Sequence, residues 1–350
     1  MATVRPVSLA ALGLTVASTV ACGTRAPAPA APLSPPTRLC RDAAVESACR
    51  NAEEVEAWLR DPDLRVLGAG GTPRGRQGAR VLTLSAGGVV FRAKWRAYST
   101  ISTVNDPRLE LGAHAVQKLF LQPHEYVVPP TAAYCFEIDT YRAVVDATAE
   151  PTLDVAPCVV GYLSYWLEDA WALEDADDAG VLEPDQGPLD RALFERSAAY
   201  RRSLSNLNVL TYLIRNGDTH DKQFLVAASR SGPRVYSVDN SIAFGKLMNP
   251  DLTEEENWST LHVPVSRVLI ARLRAIAPES LDALGAIDQL ELRGRRLVPT
   301  TPRPGRVSDT GYRWRGDALQ IGLTEEEIEG VRARLAGLIA AVERGSQATF

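Results

Sequence analysis

The stretch Tyr212-Leu213-Ile214-Arg215-Asn216-Gly217-Asp218-Thr219-His220-Asp221-Lys222-Gln223-Phe224-Leu225-Val226 decides the fold. An apolar helix end runs into a tight polar loop, and the chain leaves that loop as an apolar strand. An Asp heads the loop, and an amide side chain follows five residues later. After a turn at Ser231-Gly232-Pro233, a second strand, RVYSV, delivers Asp239-Asn240 at its end. Loop, strand, turn, strand and acid form a hairpin that brings Asp218, Gln223 and Asp239 near one point. Two carboxylates and an amide oxygen are hard ligands, the kind that Mg²⁺ takes together with substrate phosphates. Singly, Asp218 suits a turn, Gln223 a strand edge and Asp239 a helix cap; their joint spacing favours the metal reading.

Working outward from this hairpin, the chain upstream is rich in strands. LRVLGAG leads into the Gly-rich stretch GGTPRGRQG, and ARVLTLS and VVFRAKW follow, joined by Ala86-Gly87-Gly88. Two alternating apolar runs around a Gly-Gly turn predict a hairpin. A helix is expected over 107–121, opened by Pro107 with apolar residues at 109, 113, 116, 119 and 120. Strands are expected at 131–138 and 157–165. Residues 41–60 carry a helical pattern. From 166 onward the pattern is mainly helical: 189–204, 206–215, 265–276, 278–290 and 324–343, the last opened by Thr324 and Glu327 in capping-box spacing. The acidic stretch LEDAWALEDADDAGVLEPDQ reads as a solvated loop with a short helix. His114 and His124 read as ordinary helix-surface or loop residues. The expected fold is α+β and bilobal, a small β-rich lobe over 66–165 and a larger helical lobe over 166–350, with an N-terminal helical cap over 39–65.

The N-terminus reads as an export signal. Arg5 precedes VSLAALGLTVASTVA, an apolar stretch shorter than the roughly 20 residues that span a bilayer. It ends at Thr19-Val20-Ala21-Cys22, which resembles the bacterial lipobox and implies a signal peptide over 1–21 and a lipid-modified Cys22. Residues 22–38, rich in Pro and Ala, then form an extended tether from the membrane. An ordinary cleaved secretory signal is the alternative, and both readings put the protein outside the cytoplasm, in the cell envelope or at the cell surface. Four cysteines remain, Cys40, Cys49, Cys135 and Cys158, an even number suited to an oxidising compartment. Of three pairings, spacing favours Cys40 with Cys49 and Cys135 with Cys158, the latter two lying in strand-like runs that can sit side by side. No CxxC and no neighbouring His pair support zinc.

Composition narrows the rest. With 350 residues, 45% hydrophobic and 23% charged, the chain is ordinary for a globular protein, and a net charge of -5 provides no general field for nucleic acid. Yet only four of its 38 basic residues are lysines: Lys94, Lys118, Lys222 and Lys246. Where a positive charge is all that is needed, this protein uses Arg.

NGDTHDKQF resembles the catalytic loop of HipA-type kinases, N-G-D-x-H-x-K-N-F, and YLIRNGD resembles the matching loop of type II phosphatidylinositol 4-kinases. VDNSIAFGK resembles the metal-binding segment of the secretory-pathway casein kinases of the Golgi, where D-N-G-x-x-F-G is typical. ELGAHAVQKLFLQPHEYVVPPT resembles the helix of the same kinases that begins with a Glu and leads into a V-P-P-T strand. All belong to the atypical branch of the protein-kinase-like fold. The resemblance spans roughly residues 66–246. It implies that Asp218 orients the acceptor hydroxyl, that Asp239 and Gln223 hold Mg²⁺ or Mn²⁺, and that Lys94, paired with Glu110, grips the phosphates of ATP. Gln223 stands where the family has Asn, so its carbonyl reaches further.

The same resemblance assigns Gly71, Thr72, Gly75 and Gly78 to a phosphate-covering loop, with Arg74 and Arg76 beside it, and the backbone from Tyr162 to Trp166 to the base. His220 matches a loop-holding His and Lys222 a phosphate-side Lys; Lys246 is uninformative. Lys94 fits the lysine scarcity, since a compact ammonium occupies a space between Glu and phosphates that a guanidinium does not. The implied activity is phosphate transfer from ATP to a protein, sugar or lipid hydroxyl. Because the cell exterior is poor in ATP, a lipid-anchored nucleotide-binding module without turnover is one alternative; the resemblance also admits transfer of AMP instead of phosphate.

Overall fold

The computed structural model describes residues 38–42, 49–72, 78–98, 105–183, 190–220, 223–245, 249–254, 256–305 and 309–350. The expected signal peptide, Cys22, the tether, Gly75, Arg74, Arg76, Lys222 and Lys246 lie outside these residues. The chain is a mixed α+β protein. Strands β1 (Arg38–Leu39) and β2 (Cys49–Arg50) pair in parallel, tied by the Cys40–Cys49 disulfide, and α1 (Ala52–Leu59) follows. The helical pattern expected over 41–60 is therefore shorter. Asn51 starts it, accepting from the backbone N of Glu54 while Glu54 accepts from that of Asn51, a reciprocal cap; residues 43–48 of the expected pattern lie outside the described residues.

Strands β3 (Arg65–Gly71), β4 (Arg80–Ala86) and β5 (Val89–Ala97), helix α2 (Arg108–Gln117), strand β6 (Thr131–Glu137), helix α3 (Ile138–Val144) and strand β7 (Cys158–Tyr165) come next. The strands form one antiparallel sheet in the order β3-β4-β5-β7-β6. The β4–β5 turn is the expected one: Ala86 pairs with Val89 around Gly87 and Gly88, both at positive φ, as a two-residue hairpin requires. In β7, Gly161 admits the Trp95 indole from β5; a Cβ there would sit 2.6 Å from it and 2.3 Å from the Arg96 carbonyl. The Cys135–Cys158 disulfide joins β6 to β7 as expected, so both favoured pairings are present and the chain suits an oxidising compartment. Among the described residues no helix is long and apolar enough to cross a membrane.

Strand β8 (Ala170–Ala172) begins the second half, followed by α4 (Arg191–Arg196), α5 (Ala198–Ile214), β9 (Phe224–Ala227), β10 (Arg234–Ser237), α6 (Arg267–Arg274) and α7 (Pro278–Asp282). Part of the acidic stretch is thus a strand, because β8 pairs with β9. The two helices expected at 189–204 and 206–215 break instead at Ser197, whose hydroxyl caps α5 by accepting from the Tyr200 backbone, while Ser205 is buried mid-helix.

The C-terminal part departs furthest from expectation. The helix expected at 278–290 ends at Asp282, a single 3₁₀ turn follows, and β11 (Asp288–Arg293) begins. With β12 (Arg296–Thr300), β13 (Tyr312–Arg315) and β14 (Ala318–Ile321) it forms a four-stranded antiparallel sheet, order β12-β11-β14-β13, where helical packing was expected. Its alternation is clear once seen: Leu290, Leu319 and Ile321 turn inward while Glu291 faces out. These side chains pack on Ala133, Cys135, Val160 and Tyr162 of β6 and β7, so the terminal sheet covers part of one face of the five-stranded sheet. On the opposite face Trp95, Phe91 and Leu163 meet α1 and α3, with the Trp95 Nε1 donating to the Tyr141 hydroxyl at 2.9 Å. Helix α8 (Glu325–Glu343) closes the chain, opened by the expected Thr324–Glu327 capping box.

Candidate functional site

The β5 face that carries polar groups lies toward the second half of the chain. Period-two alternation puts Arg92, Lys94 and Arg96 on that face while Phe91, Ala93 and Trp95 enter the core. Lys94 Nζ lies 3.6 Å from Glu110 Oε1 on α2 and 3.1 Å from Asp239 Oδ1. The Tyr162 hydroxyl, fully buried on β7, donates to the same Glu110 oxygen at 3.1 Å. Burial opposes the Lys94 charge, but the oxygens of Tyr162, Asp239 and Glu110 outweigh it and raise the Lys94 pKa above the ordinary lysine value. Burial, then Glu110, pushes the Tyr162 phenol up, so it stays a proton donor.

Arg96, which the sequence reading passed over, is 3% exposed and donates to Ser241 Oγ at 3.2 Å; its Nη1 is 3.9 Å from Asp239 Oδ1. Two cations therefore converge on Asp239. Lys94 above all, with Arg96 and the Ser241 hydroxyl, holds the Asp239 carboxyl below the usual carboxylate range. The Asp239 side chain is nevertheless half-exposed, and its backbone sits at φ 63°, a left-handed conformation that Asp tolerates better than most residues.

Helix α5 ends with Arg215 at φ 44°, and Asn216 is buried, donating from Nδ2 to Asn240 Oδ1 at 3.1 Å. Phe244 N donates to Ile214 O and Gly245 N to Arg215 O, which binds the segment after Asp239 to the helix end before Asp218. Pairing of β9 with β10, together with Val238 N donating to Gln223 O, completes the junction. Asp218, Gln223 and Asp239 thus lie on loops tied together by hydrogen bonds.

Within that junction Asp218 is fully engaged by neutral donors. Gln223 Nε2 donates to Oδ2 at 2.9 Å and Asn249 Nδ2 to Oδ1 at 2.7 Å. The Asn249 backbone N also donates to Gly217 O, so the segment after Asp239 wraps the loop from outside. Gln223 Oε1 is buried and has no hydrogen-bond partner among the described residues. An orphaned buried amide oxygen suits a divalent cation, which prefers oxygen ligands. Among the described residues no three His, Cys, Asp or Glu side chains are grouped to hold a metal, so protein ligands alone do not form a cage.

Gly71 ends β3 opposite Arg80, and Thr72 follows with its hydroxyl buried and unpartnered among the described residues; Gly78 re-enters the hairpin at φ 79°. The expectation for the base-facing backbone needs correction. Tyr162 to Ser164 lie inside the sheet, paired to both β5 and β6, Tyr165 pairs with Ala93 of β5, and Trp166 N donates to Arg92 O, so the first backbone past the ladder is at Leu167. There Arg92 grips Glu168 through both Nε and Nη2 and lies over the Trp166 ring.

His114 is likewise not a surface residue. It is buried and hydrogen-bonded to Glu56 Oε1 at 2.8 Å.

No protein-family model matches this chain, and no curated protein matches it.

Proposed function

We propose that this chain is an exported, bilobal protein-kinase-like enzyme, lipid-anchored through Cys22, that transfers phosphate from ATP to a hydroxyl of a protein, sugar or lipid. The observation that carries the reading is the position of the Lys94 ammonium between Glu110 and Asp239, acids supplied by α2 and by the end of the β9–β10 hairpin. A Lys on the third strand, a Glu on the next helix and a distant metal-type Asp form the constellation that phosphoryl transfer uses. The sheet order, which runs from the Gly-rich hairpin to the Lys strand and then to β7, fits the same plan.

In this reading Lys94 holds the phosphates and Glu110 keeps the ammonium from settling on Asp239 alone. Tyr162 orients Glu110. Asp239 and Gln223 Oε1 would hold Mg²⁺ or Mn²⁺, whose chemistry is to neutralise charge on the phosphates. Asp218 accepts or orients the hydroxyl proton of the acceptor. Catalysis would rest on positioning and charge neutralisation.

A second reading has its own observation. Both Asp218 oxygens are taken by amides, from Gln223 and Asn249, which favours a nucleotide-binding module without turnover. Thermal unfolding with ATP, with and without Mg²⁺ or Mn²⁺, tests the shared claim. Ligand at ~100 times its dissociation constant adds about 2.7 kcal/mol, and no stabilisation under either metal sinks both readings. Label from γ-labelled ATP appearing on an added protein, sugar or lipid acceptor then selects the enzyme. Binding without any release or transfer of label selects the module.

A further inference from the structure

A cavity of about 110 Å³ lies between the 123–125 turn, the N-terminal half of α5, the β9–β10 turn and the 38–42 segment. None of Lys94, Glu110, Asp218, Gln223 or Asp239 lines it. Its walls are strongly polar, and most of their charges are already matched. Arg41 grips Asp169 and donates to the Ala228 carbonyl at 2.9 Å. Glu125 is met by Arg272 and by the Gln122 backbone N.

Three donors are left over. Arg234, 6% exposed, uses Nη1 on the carbonyls of Arg41 at 2.5 Å and His124 at 3.0 Å, and its Nε is buried with no partner among the described residues. Arg202, exposed on α5, forms no ion pair or hydrogen bond among the described residues. Asn206, 5% exposed, lines the cavity with a carboxamide that has no hydrogen-bond partner among them. One carboxylate opposes them, Asp42, and its Oδ1 already accepts from Ser231 Oγ at 2.5 Å. Two unmatched guanidinium groups against one carboxylate leave the cavity one charge positive.

A buried guanidinium N–H without a partner is costly, and guanidinium edges are best met by the oxygens of a phosphate or carboxylate. The volume suits such a group: a water occupies roughly 30 Å³, so the space holds a few waters or one headgroup. We propose that this cavity binds a small oxyanion, a phosphate or carboxylate group, through Arg202, Arg234 and Asn206. Arg234 opens β10, and Asp239 follows its end, so one strand forms a wall of the cavity and leads to the candidate metal acid.

The test is thermal unfolding of the full chain with inorganic phosphate and, separately, with acetate, in the parent and in Arg202→Gln, Asn206→Leu and Lys94→Met. Phosphate also stabilises proteins generally by exclusion from their surface, an effect common to all four proteins, so the difference between them is what counts. Arg202 is exposed, so Arg202→Gln keeps the fold. The expected result is specific stabilisation of the parent and Lys94→Met, with apparent affinity about tenfold weaker in Arg202→Gln and Asn206→Leu. The anion that gives this pattern, phosphate or acetate, identifies the ligand's chemistry. Equal stabilisation in all four proteins overturns the proposal. So does a specific effect that Lys94→Met abolishes and Arg202→Gln preserves, since the anion then sits beside Lys94. Because the nucleotide reading depends on Lys94 and this one on Arg202, either can fail alone.

Discussion

Helix α2 carries two clusters of ionisable groups, and they are built to opposite ends. Near its start, Glu110 faces Tyr162 and Lys94, and the Lys94 ammonium in turn meets a half-exposed Asp239. One turn on, His114 and Lys118 close around Glu56 of α1. His114 Nε2 is 2.8 Å from one Glu56 oxygen, Lys118 Nζ 2.7 Å from the other, and Arg60 adds a third donor at 2.9 Å. Gln117 completes the second cluster, donating to His114 Nδ1 and to Val128 O while its own oxygen accepts from Val127 and Val128. Every group in the Glu56 cluster has its partner. Around Asp239, by contrast, two cations meet one exposed carboxylate, and the Oε1 of Gln223, at the start of the same hairpin, has no partner among the described residues. The closed cluster holds α1 to α2, whereas the open one leaves an exposed carboxylate and an unpartnered amide oxygen among the described residues.

Four substitutions test that contrast. The largest effect belongs to Asp239→Ala, which removes the exposed acid from the open cluster. Metal-dependent phosphate transfer should fall about 10²–10³-fold, with the unfolding midpoint in the absence of nucleotide nearly unchanged. A large loss of intrinsic stability would show that the open cluster is structural after all. Glu56→Gln should do the reverse. Losing charge-assisted hydrogen bonds in a buried site costs about 1.5–3 kcal/mol, measured by urea unfolding, with nucleotide affinity untouched.

A smaller effect is expected from Lys94→Arg, since the fork of a guanidinium does not reproduce a point charge between Glu110 and the phosphates. Nucleotide affinity should drop about tenfold by equilibrium titration; full retention would remove the argument from lysine scarcity.

The smallest effect concerns pH. Burial lowers the His114 pKa, and the neutral ring with its proton on Nε2 satisfies both Glu56 and Gln117. Below about pH 6.5 the unfolded chain therefore takes up a proton that the folded chain refuses. Stability should decline as pH falls from that point to the lowered folded-state pKa, by at most about 1.4 kcal/mol per pH unit. His114→Gln should flatten this part of the curve, whereas an unchanged slope would assign the decline to other groups.

Why some of this was legible and some was not follows from distance along the chain. Lys94 and the hairpin that ends in Asp239 announce themselves through short-range spacing, and the local pairing Cys40–Cys49 does so too. Arg96 was readable in principle, two residues beyond Lys94 on the same face, but Arg is so common here that it carries little signal. Asn249 was not readable. It reaches Asp218 from 31 residues away, and no local pattern links an Asn after one motif to the Asp of another. The terminal sheet was hidden for another reason: PESLDAL looks helical and is helical, and the switch to alternation at Asp288 occurs within a few residues of it.

The amino-acid pattern by itself determined the strands from 66 to 165, where the Gly87-Gly88 turn falls, where Thr324 begins the last helix, and that Asp218 and Asp239 bracket one hairpin. Period says which residues share a face, but not what covers it. Only the tertiary structure decided that residues 288–321 cover β6 and β7 on the face that β5 lines with Lys94 and Arg96, because burial is settled by long-range packing. It alone decided that Asp218 is held by amides and Asp239 by cations, because the surroundings of an ionised group come from segments that the chain brings together last.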